Sequence, residues 1–241
     1  NGNEVEIAHY LQQLLKKHGI EANVDEFGDH RANLTAQIGQ GKVKRTLALT
    51  GHQDTVAVTD PESWQYDPFS ATIVGDRLYG RGAADMKSGL AAQVITLIEL
   101  KEENHLPTGT LRFIATAGEE YGTPGANRLE KQGVAKNIDA LVVGEPTGGN
   151  IIFATSGSMN YQVTSIGKSV HSARPAEGIN AITGLIQFIQ AEKTLFTDVP
   201  DDPYLGQLQH SVTVIKGGSQ VNTIPDRAIL QGNIRPTAVF A

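Results

Sequence analysis

The stretch TLALTGHQDTV, residues 46–56, decides the fold: an apolar run from Thr46 to Thr50 breaks at Gly51 and meets His52 at once. A short apolar run closed by a turn residue reads as a buried strand. The same pattern recurs twice. Leu111–Ala117 runs into Gly118, Glu119 and Glu120, and Ala140–Val143 runs into Gly144 and Glu145. Between the first two strands, residues 88–103 carry Leu90, Val94, Leu97 and Ile98 at helical spacing, with Ser88 or Asp85 placed to cap the first turn. Strands alternating with helices predict a layered α/β domain with a largely parallel sheet. In such sheets ligands bind beyond the carboxyl ends of the strands, so three sets of metal-capable side chains are expected to meet there.

Upstream, residues 5–18 place Ile7, Leu11, Leu14 and Leu15 on one helical face, and Gly19 stands where that helix should end. Residues 33–38 form another short apolar segment. The pattern changes near Ser156. Met159–Ile166 alternates as a half-buried strand, residues 180–195 read as a helix, and Ser211–Lys216 and Ala228–Ile234 read as strands. This order matches the larger part of a split βαβ unit. The expected division is therefore a metal-binding catalytic domain over 1–155 and a smaller α+β, ferredoxin-like lid or dimerisation domain over 156–241. The lid is expected to be incomplete, and the catalytic domain to lack its last part. The start at Asn1 suggests that a segment has been trimmed before it.

Composition narrows the chemistry. A net charge of -6 argues against nucleic acid as a partner, which calls for a basic face. There is no cysteine, so a transition metal must be held by His, Asp and Glu, a set suited to zinc, manganese or cobalt. No apolar run reaches the roughly 20 residues of a membrane span, and no signal peptide is legible, so the cytoplasm is the expected location.

Each candidate has an ordinary reading beside its functional one. His52 and Asp54 form either a surface pair or a ligand whose free ring N–H is held by the aspartate. Asp85, in GRGAADMKSG, is either a helix cap or a carboxylate able to bridge two ions. Glu119 and Glu120 are either solvated, or divide the work: Glu120 binding metal, Glu119 moving the proton of an activated water. The charges fit, since Asp85, Glu120 and Glu145 bring three negatives against four positives from two divalent ions.

Taken in order, GHQDTV (51–56), GRGAADMKSGLAA (80–92), AGEEYGTPGA (117–126) and VGEPT (143–147) resemble a family of co-catalytic zinc metallopeptidases. That family includes succinyl-diaminopimelate desuccinylase, acetylornithine deacetylase, aminoacylases and glutamate carboxypeptidase. SWQYDPFSATIVGDRLYG (63–80), GKSVHSARPAEGINAI (167–182) and NTIP (222–225) extend the resemblance over nearly the whole chain. It implies His52 and Glu145 as ligands of one ion, Asp85 as the bridge, Glu120 as ligand of the second and Glu119 as general acid/base. It also implies a cis peptide at Asp85–Met86. In the lid it implies His171 as an oxyanion donor entering a partner subunit, with Asn222 and Arg235 on the substrate carboxylate. A fifth ligand, a histidine beyond the lid, has no counterpart in this chain.

The activity these matches imply is a two-metal, zinc-dependent amidohydrolase acting as a homodimer. It would remove an acyl group, such as succinyl or acetyl, from a small acidic amino acid. The alternatives are a carboxypeptidase or dipeptidase with the same two-metal site, and a non-catalytic dimerisation module.

Overall fold

The computed structural model describes residues 2–240. They form two compact units, divided between Asn150 and Ile151.

The first unit opens with α1 (Glu4–Lys17), which buries Ala8, Leu11 and Leu15 along one face. Acids in its first turn and lysines in its last complement the helix dipole. The helix stops at Gly19, whose φ of 69° lets the Gly19 and Ile20 N–H groups turn back to the Lys16 and Leu15 carbonyls. Next come β1 (Ala22–Phe27), β2 (Arg31–Gly39), β3 (Thr46–His52), the β4 (Thr72–Val74) and β5 (Arg77–Tyr79) hairpin, and α2 (Ser88–Glu102). After α2 follow β6 (Thr110–Thr116), α3 (Pro124–Lys131) and β7 (Ala140–Val143).

The main sheet has the order β1-β2-β6-β3-β7. Its β6–β3 and β3–β7 pairs are parallel, and its β1–β2 and β2–β6 pairs are antiparallel. The sheet is thus mixed, where the sequence predicted a largely parallel one. Only three residues join β1 to β2, and so short a link permits antiparallel pairing alone. A crossover through α2 carries β3 to β6, which is how parallel neighbours are made.

The core lies between this sheet and the two long helices, around Leu15, Leu34, Leu97 and Phe113. The predicted α2 face is the buried one: Leu90, Val94 and Leu97 are enclosed and Ile98 packs beside them. Neither Ser88 nor Asp85 caps α2, because Lys87 occupies the cap position and no side chain bonds the first turn. Gly89 is needed here, since a Cβ on it would lie 1.9 Å from the Gly144 carbonyl oxygen. Two ion pairs fasten the outer elements. Arg31 meets the buried Glu4 at 2.6 Å, and Arg128 of α3 grips both oxygens of Asp25 at 2.7 and 2.8 Å.

The second unit holds β8 (Met159–Ile166), β9 (Val170–His171), α4 (Ala181–Glu192), β10 (Gln209–Gly217), β11 (Thr223–Ile224) and β12 (Arg227–Arg235). An antiparallel sheet of order β10-β12-β8 carries α4 on one face, sealed by Ala181, Leu185, Ala228 and Leu230. Asn180 caps α4, accepting the Ile182 N–H at 2.9 Å. The strand–helix–strand–strand order predicted from sequence is present, with the small β9–β11 ladder added.

Beneath α4, Tyr161 Oη donates to Glu192 Oε2 at 3.0 Å and lies 2.8 Å from His210 Nε2. Gly232 makes room, because a Cβ there would strike the Tyr161 ring. Burial, then the hydrogen bond to Glu192 and its charge, push the Tyr161 phenol from 10.0 up to about 12. Folding therefore favours the neutral phenol. That contribution is complete below pH 10 and is lost as pH rises through about 12. Thermal unfolding followed against pH is expected to fall steeply across this window in the wild type and less so in Tyr161→Phe. Parallel curves would refute the coupling.

Candidate metal centre

Because β3, β6 and β7 are mutually parallel, their carboxyl ends open on one edge of the sheet. The register pairs His52 with Thr116 and Thr50 with Val143, so the residues after each strand emerge side by side. This is the convergence that the three strand endings predicted.

His52 is the buried centre of the group, at 2% exposure. Its Nε2 lies 2.9 Å from Asp85 Oδ1 and 3.6 Å from Glu145 Oε1. Its Nδ1 lies 3.0 Å from the Asp54 main-chain carbonyl and 3.5 Å from that residue's carboxylate. The carbonyl, not the expected carboxylate, is the nearer acceptor. An Nδ1–H held there leaves Nε2 facing the acids, the orientation a ligand needs. Below the ring, the buried Met86 takes the His52 N–H on its sulfur at 3.1 Å, and the Asp85–Met86 peptide is cis.

The Asp54 carboxylate has a task that sequence reasoning missed. Its two oxygens accept the N–H groups of Glu119, at 3.0 Å, and Glu120, at 3.2 Å. Gly118, at φ 71°, turns the chain out of β6 so that both N–H groups point back. One aspartate thus fixes the turn that presents both glutamates. Burial raises the Asp54 carboxyl, but the hydrogen bond with His52 and then those two main-chain bonds outweigh it and hold the group at about 2.

Donor atoms gather in two sets, each within 4.8 Å: His52, Asp85 and Glu145, and His52, Glu119 and Glu120. Burial would lower the His52 imidazole, yet hydrogen bonds to Asp54 and Asp85, with the charge of Glu145, raise it to about 9. Burial raises Glu120, and the charges of Asp85 and Glu119 raise it further. Glu145 is raised by burial and by Asp85 and Glu119, against the pull of His52. So many acids brought together leave excess negative charge, which a divalent cation would relieve. The donors are nitrogen and oxygen only, and the Asp85 side chain remains 54% exposed, leaving access for solvent and substrate. The residues fit a metal.

Lys87 was also missed, since neither periodicity nor a ligand pattern marks it. Its Nζ donates to the Gln53 carbonyl at 2.6 Å. Burial lowers its pKa, while the charges of Asp54 and Glu4 favour its ammonium form.

In the second unit, His171 and Asn222 come together although 51 positions apart in number: His171 pairs with Thr223 across the β9–β11 ladder, and the Asn222 carbonyl accepts the Ser172 N–H at 2.9 Å. Arg235 does not join them. It ends β12 opposite Gln209, about 25 Å along the strand from Arg227 at the strand's usual rise. Within the unit Arg235 and Asn222 are therefore not neighbours, because β12 is extended and separates them.

Residues 48–229 match the model of peptidase family M20/M25/M40. The chain is 40% identical, over 265 aligned positions, to a protein of Staphylococcus aureus strain Mu50 named probable succinyl-diaminopimelate desuccinylase, covering 100% of this chain and 66% of that one. It is 32% identical to the succinyl-diaminopimelate desuccinylase of Ehrlichia canis, covering 94% and 62%. It thus spans 62–66% of the length of these relatives. Its fold is similar to that of an M20 family metallo-carboxypeptidase from Sulfolobus solfataricus, with a TM-score of 0.80 at 21% identity over 97% of this chain and 66% of that one. The match takes in every residue gathered around His52, and with it the lineage is fixed: this chain belongs to peptidase family M20/M25/M40.

Proposed function

We propose that this chain carries the catalytic centre of a metal-dependent amide hydrolase that removes a succinyl group, or a related acyl group, from an amino acid. The observation that carries the reading is the meeting of His52 with Asp85 and Glu145, with Glu119 and Glu120 beside them. We assign His52 and Glu145 to one ion, Asp85 to the bridge and Glu120 to the second ion. Two divalent ions, zinc in this reading, supply when bound a water of lowered pKa and a Lewis acid for the substrate carbonyl.

The chain's own groups do the rest. Glu119 takes a proton from the attacking water on a carboxylate oxygen and returns it to the nitrogen of the leaving amine. Asp54 keeps that carboxylate in place through the main chain of the 118–121 turn. The second unit acts as lid and dimerisation domain of a homodimer. From it His171 enters the site of the partner subunit and donates to the developing oxyanion, and Asn222 binds the substrate carboxylate. Arg235 is assigned to the same carboxylate; since it is not beside Asn222 within one unit, the two would act from different subunits of the homodimer. We further propose a cytoplasmic location; separately, no helix among the described residues is long and apolar enough to cross a membrane.

Desuccinylation is favoured over peptide cleavage because the relatives at 40% and 32% identity are named for it. The likeness to a carboxypeptidase, at 21% identity, speaks for the fold alone. The test is a panel of succinyl-diaminopimelate, acetylornithine, dipeptides and tripeptides, run on the full-length protein with and without a chelator. The expected result is at least about tenfold higher kcat/KM for an acylated amino acid, about 1.4 kcal/mol of discrimination, abolished by chelation and restored by zinc. Peptides as the sole substrates would establish the carboxypeptidase or dipeptidase. No turnover in zinc-loaded protein would leave the dimerisation module.

A further inference from the structure

Beside the strand end that bears His52 lies a pocket of about 140 Å³, open to solvent and lined by Glu4, Gln53, Asp54, Thr55 and Lys87 among others. Charges of alternating sign gather around it: Asp54, then Lys87, then Glu4, which is paired with Arg31. Two oxygens, Glu4 Oε2 and Gln53 Oε1, are buried there without a hydrogen-bond partner among the described residues. Buried charges are costly unless paired and hydrogen-bonded, so the contacts made by this group are tightly constrained.

Gln53 lies between His52 and Asp54 and is completely enclosed. Its N–H is bound to the Thr116 carbonyl at 2.9 Å, and its side-chain amide donates to the Ala32 carbonyl at 2.8 Å. The main-chain carbonyl is taken by Lys87 Nζ. Lys87 in turn belongs to the turn that carries Asp85, closed by its own N–H to the Gly82 carbonyl at 2.9 Å. Its stem passes close to Gly82, where a Cβ would lie 3.3 Å from Lys87 Cε and 2.5 Å from Thr55 Cγ2. The ammonium therefore has little freedom to point elsewhere.

We propose that Lys87 is a positioning residue of the metal centre, tying the main chain between His52 and Asp54 to the turn that bears Asp85. The inference rests on reading the site as a metal centre. With the bond from the His52 main-chain N–H to the Met86 sulfur, this contact keeps the histidine from β3 and the aspartate before α2 at a fixed separation. Asp54, which holds the turn of both glutamates, also keeps a compensating half-buried cation nearby.

The test compares the full-length wild type with Lys87→Met, which keeps the stem but removes donor and charge, and Lys87→Arg, which keeps both. Zinc affinity is measured by competition with a chromophoric chelator, coordination by the visible spectrum of the cobalt(II)-loaded protein, and fold by thermal unfolding without metal. Lys87→Met is expected to bind zinc about 10- to 100-fold more weakly, as lost outer-shell support does, with an altered cobalt spectrum. Lys87→Arg is expected to recover most of that affinity. A folded Lys87→Met with wild-type zinc affinity and cobalt spectrum overturns the inference. Should Lys87→Met fail to fold, Lys87→Gln takes its place with the same two outcomes. A wild type that binds no zinc would instead defeat the metal-centre reading, so the two failures are distinct.

Discussion

Replacing Glu119 by Ala in the full-length protein is expected to lower kcat by about 10²- to 10⁴-fold, the usual contribution of a positioned general acid/base. Metal content and KM should remain close to wild type. The two adjacent glutamates differ in their surroundings. Glu120 is raised by burial and by the charges of Asp85 and Glu119, the situation of a group that a cation would relieve. Glu119 is the more exposed of the two, near His52, and its main chain is locked by Asp54. That is a suitable place for a group that must both receive and surrender a proton. Glu119→Gln, similar in shape but unable to accept the proton as a carboxylate does, should be impaired to a comparable degree. Undiminished turnover in Glu119→Ala would end the assignment, and a parallel loss of metal would make Glu119 a ligand instead.

Replacing His52 by Ala is expected to weaken zinc binding by more than about 100-fold, beyond the loss caused by outer-shell changes. His52 belongs to both donor sets, so its removal leaves carboxylates alone in each. An all-oxygen set favours magnesium, calcium or manganese over zinc. The variant should therefore show altered metal preference as well as weaker binding, read as zinc and manganese affinities measured side by side. His52 is deeply buried, so His52→Gln accompanies the alanine variant to separate loss of a ligand from loss of packing. Zinc affinity near wild type in a folded His52 variant would remove it from the centre.

The elements read well from sequence share a strong, repeated signal. Thr46–Thr50, Leu111–Ala117, Ala140–Val143 and Met159–Ile166 fall on strands, and the α2 face was legible because its Leu90, Val94 and Leu97 fill the core. Others had little to offer. The strand β1 mixes apolar positions with Asp25 and Glu26 at a sheet edge, and α3 is only eight residues long. The two-residue strands β9 and β11 exist only because they pair with each other. The expected cap of α2 failed for a related reason: Asp85 faces His52 rather than the first turn of the helix.

By itself, the sequence determined which side chains stand at the ends of three apolar strands, where the first helix stops, and to which family the order of motifs pointed. Those features depend on residues a few positions apart, whose periodicity and turn preferences are local. Only the tertiary structure decided that β2 enters antiparallel to make the sheet mixed, that Asp54 grips a turn 65 residues away, and that Lys87 closes onto Gln53. Such contacts follow from strand order and from how the whole core is buried. A stretch of chain carries no record of what the rest of the molecule will lay beside it.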